Sequence, residues 1–485
     1  MSDSIKQLEP QALWGHFADL NAVPRPSKKE ERVIAFMKAF GESLNLPTQV
    51  DEAGNVIIKK PATAGMEDRE TVVLQSHLDM VHQKNNDTRF DFNTQGIDMY
   101  IDGDWVKARG TTLGADNGIG VSAIMCLLQS TDIPHPALEA LFTIDEETGM
   151  TGALELKGGL LSGKIMLNLD TEEDNELTIG CAGGIDVTGE GNYQTNAPTH
   201  TAAFRLQVTG LTGGHSGIDI HKGRANANKL MNRLLMNVNK SSEISIASIE
   251  GGSLRNAIPR ESVALVTTND SESLQRIVKS FEDIFRKEYH TTDPNLCIRI
   301  EACDLPDQVM SPEFKQILLR SIYTCPNGIY RMSPDIAGLV QTSNNLARVV
   351  VKDGTYSIQC LTRSSVETEK TDLADAITAV FDGLGAKTTF GGSYPGWMPE
   401  PSSPIVTLMS GLYRELFQAE AHVNACHAGL ECGILGRNYP GMQMISFGPN
   451  IYGAHSPDEK VQISSVQKFW GYLLETLKRI PKKAA

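Results

Sequence analysis

A histidine and an aspartate two residues apart are the first residues that could do chemistry. They lie in the segment Ser76-His-Leu-Asp79, which follows an apolar run at residues 71–74 that predicts a buried strand. Side chains two apart in an extended chain point to the same side, so His77 and Asp79 can face one cleft. There the carboxylate could orient the imidazole as a metal ligand. The alternative is an ordinary pair of polar residues at a strand end.

A second candidate is Asp116, in a glycine-rich segment at residues 110–118 that leads into an apolar helix predicted at 119–128. The positive end of a helix dipole keeps a carboxylate ionised and available to a metal ion. Asp116 or Asn117 could instead cap the helix. A phosphate-binding loop is the remaining alternative, but the segment lacks Gly-Lys-Ser/Thr and its surroundings are acidic.

Three consecutive acids, Asp145, Glu146 and Glu147, follow an apolar run at residues 138–144. Adjacent carboxylates repel each other, so such a group is either solvated or held by a cation. Because the apolar run predicts a buried strand, we expect the acids to emerge at the edge of a sheet, in the same layer as His77.

Two single residues complete this set. Asp170 follows a predicted strand at residues 164–169, and His455 lies in a polar turn near the end of the sequence. Each alone is typical of an ordinary turn. Together with the residues above they supply two imidazoles and several carboxylates, and ligands of these types without a thiolate suit two divalent metal ions.

Alternating helices and strands must bring these residues to one edge. The same alternation resumes after residue 393 and predicts an α/β domain with a mixed, mostly parallel sheet flanked by helices. Apolar periodicity predicts further helices at residues 10–20, 30–40, 404–417 and 464–477. It also predicts a strand at residues 444–447.

Residues 185–392 have a different pattern, typical of an α+β domain. Strands are predicted at residues 202–208 and 263–268. Helices are predicted at residues 226–238, 273–285 and 312–323. We therefore predict a first domain of residues 1–184 and 393–485, interrupted by an inserted second domain of residues 185–392. Three consecutive domains are the alternative.

Composition excludes several classes of protein. The 485 residues include 44 Lys and Arg against 59 Asp and Glu, a formal net charge of −15, which disfavours binding to nucleic acid or an anionic membrane. The sequence has no run of eighteen apolar residues, and its first twenty residues resemble neither a signal nor a transit peptide. The eight cysteines contain no Cys-x-x-Cys pair and are typical of reduced thiols in a cytoplasmic protein.

The motifs taken together resemble those of the M20 family of co-catalytic metallopeptidases. They occur in the order found in that family: Ser-His-Leu-Asp at 76–79, Gly-Ala-Asp-Asn-Gly at 114–118, Asp-Glu-Glu-Thr-Gly at 145–149, Leu-Asp at 169–170 and Ala-His-Ser at 454–456. The long middle block, with segments 213–217 and 427–433, most resembles the members that hydrolyse dipeptides.

The resemblance implies two divalent metal ions per subunit. His77 and Asp170 would bind one ion. Glu147 and His455 would bind the other, and Asp116 would bridge the two. Zn²⁺ is the expected ion, with Mn²⁺ and Co²⁺ as alternatives, because imidazole and carboxylate ligands suit all three.

The resemblance also implies roles for the two neighbouring acids. Asp79 would hydrogen-bond His77 and fix the orientation of its ring. Glu146 would be the general base, taking a proton from the attacking water and passing it to the leaving amine. In the family the peptide bond after the bridging acid is cis, which here is the bond from Asp116 to Asn117.

The resemblance implies that the first domain is catalytic and that the inserted domain, residues 185–392, is a lid and dimerisation domain. In the inserted domain it nominates His215, Asn256 and Arg363 for substrate binding. The family counterpart of His215 reaches the substrate carbonyl oxygen from the partner subunit, so a homodimer is expected. Asn256 and Arg363 would hold the substrate's free carboxylate, which suits the fork of an arginine. Without the resemblance, His215 is typical of a glycine-rich turn and the other two of surface contacts.

The implied function is that of a cytoplasmic, homodimeric hydrolase of unblocked dipeptides, broad in specificity and including β-alanyl-histidine. The alternatives are an N-acyl amino acid hydrolase or a tripeptidase of the same fold, and, from another class, a catalytically silent binding protein. Spacing would also allow a metal site of His422, His427 and Glu431, but the two-metal set is complete without them. Glu431 is a candidate for binding the substrate's free amine.

Overall fold

The computed structural model describes residues 2–483 and divides into two compact units. The first unit comprises Met1–Gly180, Pro399–Ala425 and Leu430–Ala485, and the second comprises Cys181–Met398 and Cys426–Gly429. The second unit thus begins before the predicted boundary at residue 185, ends after that at 392, and includes a short segment from the C-terminal part. Its action as a lid and dimerisation domain stays a prediction.

A mixed sheet forms the centre of the first unit. Its four central strands are parallel to one another, and antiparallel strands flank them on both sides. The central strands are buried on both faces, as expected for parallel strands covered by helices. In sheet order the strands are Thr48–Val50, Val56–Lys60, Leu138–Thr143, Val72–His77, Ile165–Asn168, Gln443–Ser446, Glu176–Cys181 and His422–Cys426.

Helices and a smaller antiparallel sheet complete the first unit. The helix Ala115–Gln129 is buried all round from Asn117 to Leu128, because its residues are apolar or small on every face. The smaller sheet has strands Ile451–Tyr452, Lys460–Gln462, Trp105–Ala108 and Met99–Asp102. The other helices are Ser2–Ile5, Gln11–Asn21, Glu31–Ser43, Thr151–Glu155, Pro404–Phe417, Glu431–Asn438 and Ile463–Arg479.

The second unit is an antiparallel sheet with helices packed on an apolar core. Alternate residues of Ala202–Thr209 and Ser262–Thr268 are buried, the period expected of strands with one face on a core. In sheet order the strands are Cys297–Cys303, Ala202–Thr209, Ser262–Thr268, Ile244–Gly251, Val340–Lys352, Thr355–Ser364, Gly183–Asn192 and Lys387–Tyr394, with Gly328–Met332 beside Val340–Lys352. The helices are Ile220–Lys222 (3₁₀), Ala227–Ser241, Ser271–Glu288, Pro312–Thr324 and Glu367–Leu384.

Two short ribbons lie outside that sheet in the second unit. Thr195–Asn196 pairs with Val309–Met310, and Gly214–His215 pairs with Ala257–Ile258. In the second ribbon His215 lies directly opposite Ala257. Ala257 is the residue that follows Asn256.

The predicted α/β class with a mixed sheet is confirmed, and the parallel pairing is concentrated in the four central strands. None of the helices within residues 2–483 is long and apolar enough to cross a bilayer.

Candidate metal centre

The candidate residues of the first unit come from the carboxyl ends of neighbouring parallel strands. His77 is the last residue of Val72–His77 and stands beside Thr143, the last residue of Leu138–Thr143. Three acids follow Thr143, and Asp170 follows the third parallel strand, Ile165–Asn168. The sheet therefore brings imidazole and carboxylates to one edge, where α/β folds place their ligands.

Asp116 enters this edge from the start of the helix Ala115–Gln129. The Asp116 carboxylate contacts His77 and His455, and the Asn117 amide oxygen has no hydrogen-bond partner among the described residues, so the cap role considered for Asp116 or Asn117 is wrong. Asp116 itself has non-helical backbone angles, and the peptide bond from Asp116 to Asn117 is cis. The Asp116 carboxylate thus lies before the regular helix and is not part of its first turn.

His455 comes from the turn between the antiparallel strands Ile451–Tyr452 and Lys460–Gln462. Its φ of 64° lies in the left-handed region, which a residue with a Cβ adopts only when its surroundings hold it there. Its side chain is 57% exposed, so this ligand faces the open side of the site.

Two groups of three ligand atoms share Asp116. His77 Nε2 lies 3.1 Å from Asp116 Oδ1 and 3.4 Å from Asp170 Oδ1. His455 Nε2 lies 3.3 Å from Asp116 Oδ2 and 3.0 Å from Glu147 Oε2. Within each group all three atoms are within 4.8 Å of one another. One Asp116 oxygen belongs to each group, which is the arrangement of a bridging carboxylate.

The protonation behaviour of these ligands shows that the site lacks positive charge. Asp116 and Glu147 raise the pKa of His455 to about 11. Burial lowers the pKa of His77, but Asp170 and Asp116 outweigh it and raise that pKa well above the usual value. Burial also opposes ionisation of Asp116, yet His455 and His77 hold its pKa well below the usual range. Divalent cations would supply this missing charge, so the residues fit a metal centre.

Asp79 is fully buried and contacts the ligand residues His77 and Glu147. Its Oδ1 accepts the Glu146 N–H at 3.0 Å, and its Oδ2 accepts the Ser27 hydroxyl at 2.7 Å and the Glu147 N–H at 3.3 Å. His77 Nδ1 lies 3.1 Å from the Asp79 carbonyl oxygen and 3.4 Å from Oδ1. With Nδ1 on these Asp79 oxygens, the opposite ring atom of His77, Nε2, faces Asp116 and Asp170.

Glu146 lies beside the ligands but belongs to neither of the two groups that share Asp116. One of its oxygens is within 4.8 Å of ligand atoms of His77 and Glu147. Burial, together with nearby Asp170 and Glu431, raises the pKa of Glu146 well above its usual value. The third acid, Asp145, is buried and accepts hydrogen bonds from Thr148 and Thr151, so it stabilises its own turn.

Comparison with known proteins places this geometry in a family. The sequence profile described as "Peptidase family M20/M25/M40" matches residues 73–479. The chain belongs to peptidase family M20. It is therefore a hydrolase of the metallopeptidase type, and the resemblance inferred from the motifs is confirmed.

Full-length relatives of this M20 peptidase extend the comparison. The chain is 42% identical over 486 residues to the cytosol non-specific dipeptidase of Escherichia coli strain K12, covering 99% of each sequence. The crystal structure of aminoacylhistidine dipeptidase from Vibrio alginolyticus matches with a TM-score of 0.94 at 40% identity over 100% of both chains. A tripeptidase from Staphylococcus aureus matches at 16% identity with a TM-score of 0.56, covering 98% of this chain and 99% of that one, which shows a common fold.

The substrate-binding candidates of this M20 peptidase lie together in the second unit. The Ser216 N–H donates to the Asn256 carbonyl at 2.8 Å, and Arg363 Nε lies 3.5 Å from the Ser216 hydroxyl. Arg363 is 4% exposed and donates from Nη1 to the Tyr394 hydroxyl at 2.7 Å. Asn256 is exposed and His215 is half-buried, and the charge of Arg363 acts on the His215 ring.

The tautomer of His215 follows from its hydrogen bonds. Its Nδ1 accepts the N–H groups of Gly217 at 3.2 Å and Ile218 at 3.1 Å. Burial and the nearby Arg363 lower the pKa of His215, which favours the neutral ring. A neutral ring that accepts at Nδ1 carries its proton on Nε2, so His215 can donate one hydrogen bond to a ligand.

The spacing that suggested a site of His422, His427 and Glu431 has no structural counterpart, because no ligand group within residues 2–483 contains any of the three. His427 Nε2 instead lies 2.7 Å from the Ser343 hydroxyl, and burial is the main reason that its pKa falls to about 3. Glu431 accepts hydrogen bonds from Gln75 and Thr143.

Sequence reasoning missed several residues that support the ligands. Asn117 donates to the Leu169 carbonyl at 2.6 Å and to the Asp170 carboxylate. Arg25 is buried and donates to the carbonyls of Leu78 and Asp79 at 3.0 and 3.2 Å. A buried arginine far from any motif gives no signal in a single sequence.

Proposed function

We propose that this M20 peptidase hydrolyses unblocked dipeptides with two divalent metal ions, Zn²⁺ first among them. The observation that carries the proposal is the pair of ligand groups sharing Asp116, with Glu146 beside them. Identity of 42% along almost the whole chain to a protein named a dipeptidase supports the substrate class. The name aminoacylhistidine dipeptidase of a second relative supports dipeptides that end in histidine.

His77, Asp116 and Asp170 would hold one ion, and Asp116, Glu147 and His455 the other. When bound, two such ions lower the pKa of water and polarise the carbonyl that it attacks. The chain's own contribution is to fix the ligands: Asp79 orients His77, and Asn117 holds the Asp170 carboxylate. The negative charge of the buried carboxylates is not balanced by nearby cationic side chains, so it would attract these metal ions strongly.

Glu146 would be the general base. Its raised pKa lets a carboxylate oxygen take the proton of the attacking water and keep it until the leaving amine accepts it. The Asp79 carboxylate accepts the Glu146 N–H and so fixes the backbone from which this side chain extends.

Glu431 would bind the free amine that distinguishes an unblocked dipeptide. Its side chain is 1% exposed, and Oε2 accepts from Gln75 Nε2 at 2.7 Å and Thr143 Oγ1 at 2.6 Å. Oε1 is buried without a hydrogen-bond partner among the described residues, so an ammonium group would satisfy it. Burial raises the pKa of Glu431 to about 7, and an ammonium partner would return the group to its ionised form.

Residues of the second unit would bind the other end of the substrate. Arg363 and Asn256 would hold the free carboxylate, because a guanidinium pairs with both oxygens. His215, donating from Nε2, would stabilise the negative charge that develops on the substrate carbonyl oxygen, and the proposal assigns this role to the partner's copy in a homodimer. We further propose that the second unit is a lid and dimerisation domain and that the enzyme is cytoplasmic, as the name of the Escherichia coli relative says of that protein.

The test is a substrate panel on the full chain with added Zn²⁺. Gly-His and β-alanyl-His should be cleaved, and N-acetyl-Gly-His and Gly-Gly-His should be cleaved at least about 10-fold more slowly, because one lacks the free amine and the other exceeds the length. A chelator should abolish all activity. Cleavage of the acetylated peptide alone would contradict the proposal in favour of an acyl amino acid hydrolase, and preference for the tripeptide would favour a tripeptidase.

The role of Glu431 is tested by Glu431→Gln on the same panel. We expect KM for Gly-His to rise about 10-fold or more, as expected when a charged hydrogen bond worth about 1.5–3 kcal/mol is lost. An unchanged KM would contradict this role while leaving the two-metal reaction in place.

A further inference from the structure

Four consecutive backbone N–H groups converge on one buried carboxylate, that of Glu459. Oε2 accepts from the N–H groups of Leu113 at 2.7 Å and Gly114 at 3.0 Å. Oε1 accepts from those of Ala115 at 2.8 Å and Asp116 at 3.2 Å. Successive N–H groups around a left-handed residue form a concave anion site, and here a side chain of the same protein fills it.

Arg25 holds the same loop from its carbonyl side. Its Nη2 donates to the Gly114 carbonyl at 2.6 Å, and its guanidinium is attracted electrostatically to Glu459. Gly114 is required there for two reasons: its φ is 71°, and a Cβ would lie 2.6 Å from Arg25 Nη2. Two buried charged groups thus hydrogen-bond the backbone that leads to Asp116: the Glu459 carboxylate binds its N–H groups, and the Arg25 guanidinium binds a carbonyl.

Glu459 belongs to the same short turn as His455. The turn is closed by its own hydrogen bonds, from Ser456 N–H to the Gly453 carbonyl at 3.2 Å and from Glu459 N–H to the Ser456 carbonyl at 3.1 Å. Glu459 is 3% exposed, whereas the neighbouring Asp458 is exposed. One carboxylate therefore joins the backbone of the loop before Asp116 to the turn that presents His455.

We propose that Glu459 is a positioning residue for the metal site formed by Asp116, Glu147 and His455. It acts on that site through backbone hydrogen bonds, and it sets the distance between two of the three ligands. The inference rests on the two-metal centre of the proposed function. In the site formed by His77, Asp116 and Asp170, His77 ends one parallel strand and Asp170 follows another, so this site depends on Glu459 less.

The substitution Glu459→Gln keeps the volume of the side chain but changes its hydrogen bonds to the loop, so it tests the positioning of the ligands without altering the packing. Glutamine has the same shape, but its NH₂ group would face two of the four N–H donors and could accept from neither. We expect one zinc ion to stay tightly bound and the other to bind about 10- to 100-fold more weakly, the usual effect of losing a group that orients metal ligands. The loss of kcat/KM at low zinc should be repaired by raising the zinc concentration.

The measurement is bound zinc per subunit after dialysis of the full chain against a series of zinc buffers. Asp458→Asn is the matched control, because it removes the adjacent carboxylate that faces solvent, and it should bind zinc as the wild type does. Denaturant unfolding of each variant records its stability. If Glu459→Gln does not fold, Glu459→Asp replaces it: the charge stays, but the shorter side chain cannot reach all four N–H groups, so the same loss from one site is expected.

Three results would count against the inference or its foundation. Two zinc ions bound by the Gln or Asp variant as tightly as by wild type would overturn the positioning role alone. Equal weakening of both ions would also overturn it, since a general packing defect does that. Fewer than two ions on the wild-type chain would overturn the two-metal proposal, and the positioning role with it.

Discussion

The replacement Asp79→Asn tests how far the metal centre depends on one buried carboxylate that need not touch a metal ion. The two oxygens of Asp79 accept the N–H groups of Glu146 and Glu147 and the hydroxyl of Ser27. Asparagine keeps the shape of the side chain but has one oxygen, and its NH₂ group cannot accept a hydrogen bond. The substitution therefore changes hydrogen bonding without creating a cavity.

The expected magnitude follows from those contacts. Whichever way the amide is turned, one of the two N–H groups, at 3.0 or 3.3 Å from the carboxylate, faces the NH₂ group. Losing a hydrogen bond to a charged group costs about 1.5–3 kcal/mol, which corresponds to about 10- to 100-fold in an equilibrium or rate constant. The negative charge behind His77 is lost as well, which lowers the basicity of the imidazole. We expect zinc affinity and kcat/KM to fall about 10- to 100-fold.

The assay is hydrolysis of Gly-His over a range of zinc concentrations, with zinc affinity measured separately in a competing chelator. Ser27→Ala is the matched control: it removes one hydrogen bond from the same carboxylate but leaves the charge and both N–H contacts, so it should cost less than about 10-fold. Wild-type zinc affinity and kcat/KM in Asp79→Asn would refute the reasoning, as would an effect of Ser27→Ala equal to that of Asp79→Asn.

Other predictions concern the second unit. Between pH 6.5 and 3 the unfolded chain protonates His427 and the folded chain does not, so stability falls as pH falls through this window, by about 2 kcal/mol at pH 5. In urea unfolding, His427→Gln should remove about that loss between pH 7 and 5, while the exposed control His82→Gln should keep it. In Gly217→Ala the new Cβ would overlap the His427 carbonyl, and we expect unfolding free energy to fall by roughly 1–3 kcal/mol. Arg363→Lys should raise KM for Gly-His about 10-fold but not KM for its C-terminal amide, because lysine cannot pair with both carboxylate oxygens; equal effects on the two substrates would contradict this.

The part of the fold that sequence could predict is the part set by local patterns. The predicted helix at residues 404–417 has those bounds in the structure, Pro404–Phe417, because proline at the first helical position and apolar periodicity are both visible in the sequence. Apolar runs in the sequence predict the parallel strands. Since such runs end at one edge, the approach of His77 to Asp170 followed from the pattern.

Long-range contacts could not be predicted in the same way. The hydrogen bond from the Leu113 N–H to Glu459 joins residues 346 apart in sequence, and nothing local distinguishes Glu459 from an exposed acid such as Asp458. The helix-cap alternative for Asp116 was wrong because its carboxylate contacts His77 and His455, which are distant in sequence, instead of a helix N–H. A pattern locates residues along one element, whereas these contacts depend on how distant segments meet.

Glu146→Gln tests the central claim most directly, on the full chain loaded with Zn²⁺. Bound zinc and the rate of Gly-His hydrolysis are measured on the same samples of variant and wild type. We predict two zinc ions per subunit in both, and a kcat lower by about 10²- to 10⁴-fold in the variant, the usual contribution of a general base. Hydrolysis at the wild-type rate by a variant that retains both ions would contradict the account.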